Sequence, residues 1–191
     1  MERGGAGFKR LQVQNESFLM KIDFHLLVKG DQLWVWLLRA KYRWWNAHVS
    51  PTVKSRCTPL WISVCRVWYD VAANISWQIG DGKGVRFWFD SWLGSVGPIA
   101  DSLLNGMQLV YAEATVSDMM DGDGQWRWHR FESLLPYAIL LRITTVNISS
   151  NALIHDFPRW NLTSHGQFRV HSTYSVRMGF SLVRPSLFGK R

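Results

Sequence analysis

"SWQIGDGKGVRFWFDSW", residues 76–92, sets Trp77, Trp88 and Trp92 around a glycine-rich turn. Gly80, Asp81, Gly82 and Gly84 have the composition of a phosphate-cradling loop, and Asp81 and Asp90 are candidate catalytic acids. The loop lacks the Gly-Lys-Ser/Thr ending of a P-loop and opens no helix. Read as local structure, "WQI" and "VRFWFD" are short strands, and "GDGKG" is a loop of hairpin length whose glycines supply positive φ. On the second strand Val85, Phe87 and Phe89 point one way, and Arg86, Trp88 and Asp90 the other. Asp81 then serves the turn, and Asp90 orients the Trp88–Trp92 exit.

The flanks of this hairpin are helical, so the expected class is α+β, mostly helical, with further short strands near the C-terminus. Residues 11–29 read as a helix with Phe18, Ile22 and Leu26 at i+4 spacing, widened by Leu19 and Leu27. Asp31 is placed to cap the next helix, residues 32–44, where Lys41 and Arg43 sit towards the exit. Basic residues there also complement the helix dipole. "TPLWISVCRVWYDVAANI", residues 58–75, begins with an N-cap threonine and a first-turn proline, with Leu60, Val64, Val67 and Val71 on its apolar face. Downstream, "WRWHRFESLLP" reads as a short helix, "AILLRI" as its continuation and residues 121–124 as a turn. Residues 152–180 read as a strand, a turn at His165-Gly166, a strand "QFRV" and a helix from Ser172.

Hydrophobic residues make up 47% of the 191, enough to build a core and to exclude wholesale disorder. Net charge is +8 and unevenly placed: +6 over residues 1–56, zero over 57–100, −4 over 101–158 and +6 over 159–191. Basic ends are compatible with nucleic-acid contact, because Lys and Arg neutralise phosphates; they also simply keep a chain with twelve tryptophans soluble. Cys57 and Cys65 lack the spacing of a zinc pair and read as buried free thiols of a reducing compartment. No apolar run is long enough for a membrane span, and no signal core is visible. The expected setting is therefore intracellular, nuclear or cytoplasmic, without membrane contact or secretion.

Catalysis finds little support. His129, His155, His165 and His171 have no strained Ser or Cys elbow to serve. "YDVA", residues 69–72, has one acid where a two-metal polymerase site needs two. Asp121 and Asp123 lack the downstream ligands of a calcium loop. The expectation is no enzyme activity, no cofactor and no metal. Binding fares better, since tryptophans beside Lys and Arg suit stacked bases and paired phosphates. Lys41, Arg43, Lys83, Arg86 and Trp88 are the candidate nucleic-acid contacts; the alternative is that the tryptophans fill a small core while the cations are solvated.

Taken in order, "LWVWLLRAKY", "PLWISVCRVW", "WQIGDGKGVRFWFDSWLG", "VSDMM" and "HDFPRWNLTSHGQFRVHSTYSV" resemble the region downstream of the polymerase in plant LINE-type (non-LTR) retroelement reverse transcriptases. The resemblance covers roughly residues 4–180. Its most specific parts are Trp77, Gly80, Gly82, Trp88, Asp90 and Trp92, then Asp156, Trp160, Gly166, Phe168, Val170, Ser172 and Tyr174. The family joins its polymerase here to a reverse-transcriptase zinc-binding segment and often a ribonuclease H domain. The resemblance implies paired catalytic aspartates upstream and zinc ligands downstream, so no catalytic or metal residue carries over to this chain. His171-Ser172-Thr173 departs from the family's Lys-Ser-Ala run.

The organisation expected is a basic helical segment (1–56), a helix with the hairpin (57–100), an acidic connector (101–150), the truncated entry to a zinc-binding-like domain (151–180) and a divergent tail (181–191). The implied role is a non-catalytic, truncated retroelement fragment that binds RNA or DNA. The alternative is an inert remnant, or a structural module that packs against the polymerase or ribonuclease H domains of a parent polyprotein.

Overall fold

Apolar residues recur on almost every side of the first predicted helix, so packing rather than periodicity decides which side is buried. In the computed structural model, which describes residues 10–44, 50–109, 111–146, 148 and 155–179, this helix, α1, spans Leu11–Val28. Its inner face is Ser17, Met20, Asp23 and Phe24 with Leu19 and Leu26, while Phe18 is exposed. The Phe18-Ile22-Leu26 stripe is thus rotated by contact with two later helices, α3 (Pro59–Ala73) and α5 (Val170–Arg177).

Helix α2 (Leu33–Tyr42) starts at Gln32 rather than Asp31, with no side-chain cap. The Gln32 amide oxygen instead accepts the Trp34 indole N–H at 2.7 Å. Arg43 ends the helix in the left-handed region at φ 52°. The Thr58 cap of α3 forms as the sequence implies, its hydroxyl accepting the Trp61 amide, with Pro59 in the first turn. Leu60 is exposed and Trp61 takes its place inside, because the inner face runs Trp61, Val64, Trp68 and Val71. Tyr42 stacks on Trp61 with ring centroids 4.1 Å apart, and Trp44 meets Trp68 edge-on at 5.1 Å. Arg177 closes the helix group by pairing with Glu16 of α1 at 2.7 Å and with Asp70 of α3.

The chain folds as two compact units, residues 1–74 with 160–191, and residues 75–159. These boundaries follow contacts, whereas the sequence segments followed composition: residue 56 lies between α2 and α3 of the same unit. The first unit also holds the C-terminal signature. Trp160, Phe168 and Phe24 form an aromatic cluster with centroids 4.6–5.8 Å apart. The Trp160 indole donates to the Ser172 hydroxyl at 3.1 Å.

The second unit is short on regular structure, and its core is aromatic. Val85, Phe87, Trp88, Trp92, Met119 and Phe131 are buried together, and Trp92 stacks on Trp126 at 5.9 Å. "WRWHRFESLLP" forms two 3-10 turns, Trp128–Arg130 and Glu132–Leu134, in place of the expected helix; α4 (Tyr137–Thr144) follows Pro136. Strand β1 (Ile75–Gln78) pairs antiparallel with β2 (Phe157–Trp160). The α+β, mostly helical class therefore holds, but the central hairpin does not. "VRFWFD" is not a strand: Arg86 makes a single bridge to Thr115, and residues 87–90 turn. "QFRV" likewise forms no strand; Trp160 closes its turn directly by donating to the Gly166 carbonyl at 2.8 Å. Among the described residues no helix is long and apolar enough to cross a membrane.

Candidate nucleic-acid interface

The glycine-rich loop does cradle an anion, and the anion is the protein's own. The Gly80 and Gly82 amides donate to one oxygen of the Asp156 carboxylate at 2.7 and 3.0 Å, and the Gly84 amide donates to the other at 2.8 Å. Successive backbone N–H groups converging on one point form the nest that phosphate sites use. Here a carboxylate 72 to 76 residues away fills it. Two of the glycines are there for space and conformation. Gly82 has φ 70°, and a Cβ on it would sit 3.0 Å from the Ser117 amide nitrogen. A Cβ on Gly84 would approach the Asp156 carboxylate to 3.3 Å.

Wrapping around Asp156 redirects the chain, which is why the hairpin fails. Residues 82–87 run beside 114–117 instead of β1: Ser117 donates to Gly82, Val116 to Val85, and Phe87 to Ala114, each at 2.9 Å. The two ends of the loop still meet where the Trp77 amide donates to the Ser91 carbonyl at 2.7 Å.

Both candidate acids serve turns. Asp81 accepts the Lys83 amide at 3.2 Å, and the Lys83 ammonium lies 3.6 Å from the same carboxylate. Asp90 accepts the Arg86 amide at 2.7 Å and its guanidinium at 3.1 Å, while the Asp90 amide reaches back to the Arg86 carbonyl. That reciprocal closure sets up the exit, where the Trp92 indole N–H donates to the Phe87 carbonyl at 2.8 Å. Asp121 likewise accepts the Asp123 and Gln125 amides, so residues 121–124 are a turn. Among the described residues no group of His, Cys, Asp or Glu could hold a metal ion. Cys57 and Cys65 are free thiols; Cys65 is buried, and Cys57 only half-buried.

The five candidate contacts separate into two kinds. Lys41, Arg43 and Lys83 are exposed cations, the first two at the end of α2 and the third at the tip of the glycine loop. Arg86 is half-buried against Asp90 and lies over the Phe89 ring. Trp88 is wholly buried with its edge against Phe87, and so has no face to offer a base. It is core, which corrects its assignment as a contact. The remaining signature residues are architectural as well: Gly166 takes φ 72°, and the Tyr174 hydroxyl accepts the Arg10 amide at 3.0 Å. Asp156 stood in the sequence signature, but no local pattern linked it to the loop.

One buried group had no sequence signal. Asp23 is fully buried in the first unit, and neither carboxylate oxygen has a hydrogen-bond partner among the described residues. Burial pushes its pKa up to about 8, so it is held as the neutral acid at physiological pH. Cys65, near it, is pushed up to about 11 by burial and by the Asp23 charge.

Comparison with known proteins finds similarity to two Arabidopsis thaliana sequences. Over 190 residues, 97% of the chain, it is 25% identical to "Putative ribonuclease H protein At1g65750" of Arabidopsis thaliana, of which the match covers 30%. Over 90 residues, 47% of the chain, it is 28% identical to "Uncharacterized mitochondrial protein AtMg00310" of the same plant, covering 58% of that protein. The chain thus spans under two thirds of either relative. No family model matches it, and no solved structure does.

Proposed function

We propose that the chain is a connector from a plant retroelement polyprotein, of the non-LTR type, which holds single-stranded RNA or DNA and carries no catalytic machinery of its own. The observation that carries this reading is similarity along 97% of the chain to a ribonuclease H-named protein more than three times the length of the match. The non-catalytic part is supported by the loop: its amides are occupied by Asp156, and Asp81 and Asp90 are spent on turns. Binding is supported by the exposed Lys41, Arg43 and Lys83 on a chain of net charge +8. Labelled single-stranded RNA titrated at rising salt tests it. Affinity should fall steeply with salt; binding at low salt no tighter than to a neutral polymer control overturns the reading.

A second reading is favoured by one feature. Leu33, Trp36 and Leu37 line an exposed apolar face of α2, which suits a structural module that packs against a polymerase or ribonuclease H domain of a parent chain. Low solubility alone, rescued by co-expressing the upstream polymerase segment, would favour it.

A further inference from the structure

Helix α1 buries one side against α3 and α5 and turns another outward. On the outward side Phe18, Lys21, His25 and Lys29 follow at spacings of three, four and four, and such spacings stack side chains along one face of a helix. With about 1.5 Å of rise per residue, Lys21 and His25 stand about 6 Å apart along the axis. Lys29, the C-cap, lies the same step in sequence beyond His25. Phe18 is 48% exposed, and among the described residues its ring meets no other ring. Neither lysine side chain has a carboxylate or hydrogen-bond partner among them. The His25 imidazole is half-buried, with the Trp34 ring of α2 at 6.4 Å.

The charges that act on His25 are both positive. Burial first, and then Lys29 and Lys21, hold its pKa below the ordinary histidine value. Trp34 is neutral, and its indole N–H is committed to Gln32. Arg39 of α2 is turned to the Leu26 carbonyl, and Asp23, Cys65 and Arg177 belong to the packed side of α1. Asp31 is exposed in the turn before α2. Attraction to the helix dipole accounts for Lys29 but not for Lys21, about two turns before the helix end, because that effect fades within the last turn. Like charges gathered on one face repel, and a bound anion relieves the repulsion. We propose that this face holds the backbone of a single-stranded nucleic acid, with phosphates on Lys21 and Lys29 around His25 and a base stacked on Phe18. The assignment rests on the nucleic-acid reading above and deepens it, since none of these residues is among the cations named there. A phosphate beside the imidazole favours its protonated form, so binding takes up a proton and strengthens as pH falls.

The test uses the full chain and a short fluorescein-labelled oligouridine RNA titrated at rising salt. Lys21→Gln with Lys29→Gln should weaken binding about tenfold and lower the slope of log affinity against log salt by about 1.4, about 0.7 for each phosphate released. Lys21→Arg with Lys29→Arg should keep the wild-type slope. Phe18→Ala should weaken binding about fivefold through the lost stack and leave the slope unchanged. Wild-type affinity should rise about threefold from pH 7.5 to pH 5.5, and His25→Gln should remove most of that rise. NMR of the wild-type imidazole reads the same linkage without a substitution: its pKa should increase when the RNA is added. Wild-type affinity and slope in the double glutamine variant overturn the face, and a His25 pKa that ignores the RNA overturns the phosphate beside it. If Lys41→Gln, Arg43→Gln and Lys83→Gln together weaken binding in that case, the nucleic-acid reading survives without this face. Binding of no RNA by wild type overturns both.

Discussion

Asp156→Ala removes the single group on which three loop amides converge. Two of the lost bonds, to Gly80 and Gly82, are part-buried, and the third, to Gly84, is exposed. Hydrogen bonds to charged groups contribute about 1.5–3 kcal/mol each when sheltered and less in water. Taking the low end for the two sheltered bonds and about 0.5 kcal/mol for the exposed one gives a loss of about 3–4 kcal/mol. Asp156→Asn keeps an oxygen for Gly80 and Gly82 but turns an N–H towards Gly84, so it should cost about 2 kcal/mol. Urea unfolding followed by tryptophan fluorescence reads both, because Trp77, Trp88, Trp92, Trp126 and Trp128 all belong to the unit the clamp closes. With a slope of about 2 kcal/mol per molar urea, the alanine variant should unfold nearly 2 M earlier, with the asparagine variant in between. An alanine variant within about 0.5 kcal/mol of wild type would refute the clamp.

Other consequences concern single positions. Asp23 holds its proton to about pH 8 when folded and releases it near pH 3.8 when unfolded. Its contribution is therefore fully favourable below pH 3.8 and is lost, by about 1.4 kcal/mol per pH unit, as pH rises to 8. Asp23→Asn should flatten that fall, so its advantage over wild type in urea unfolding must be larger at pH 7.5 than at pH 5.5; an equal advantage contradicts the assignment. Gly82→Ala forces a Cβ into the left-handed region and against the Ser117 backbone, and a thermal melt should show about 1–3 kcal/mol lost. Arg43→Gly relieves the same conformation at an exposed helix end and should raise stability by about 0.5–1 kcal/mol in the same melt, while weakening RNA binding if that cation touches phosphate.

Much of the fold could be read from the chain because its signals are local. Thr58-Pro59 starts α3, Gly166 turns the chain before α5, and the Asp121 turn carries its own acceptor. What escaped reading depends on distant partners. The hairpin over residues 77–90 had sound local chemistry, yet the loop bends around a carboxylate more than seventy residues away, and β1 finds β2 instead. The burial of Asp23 and the rotation of the α1 face arise from three helices meeting, which a periodicity in one of them does not encode. Trp88 alternates with Phe87 on an ideal strand, but in a turn both rings go inside. Of the candidate contacts, the cations were legible by exposure-prone chemistry, whereas the burial of Trp88 followed only from the turn that residues 87–89 make.

The central claim is that the glycine loop is closed by Asp156 and is not a phosphate site. The NMR signals of the Gly80, Gly82 and Gly84 amides test it most directly, in wild type and Asp156→Asn, with inorganic phosphate added to each. All three signals should move upon the substitution and stay fixed when phosphate meets the wild type. Saturable shifts of these amides with phosphate in the wild-type protein would contradict the claim.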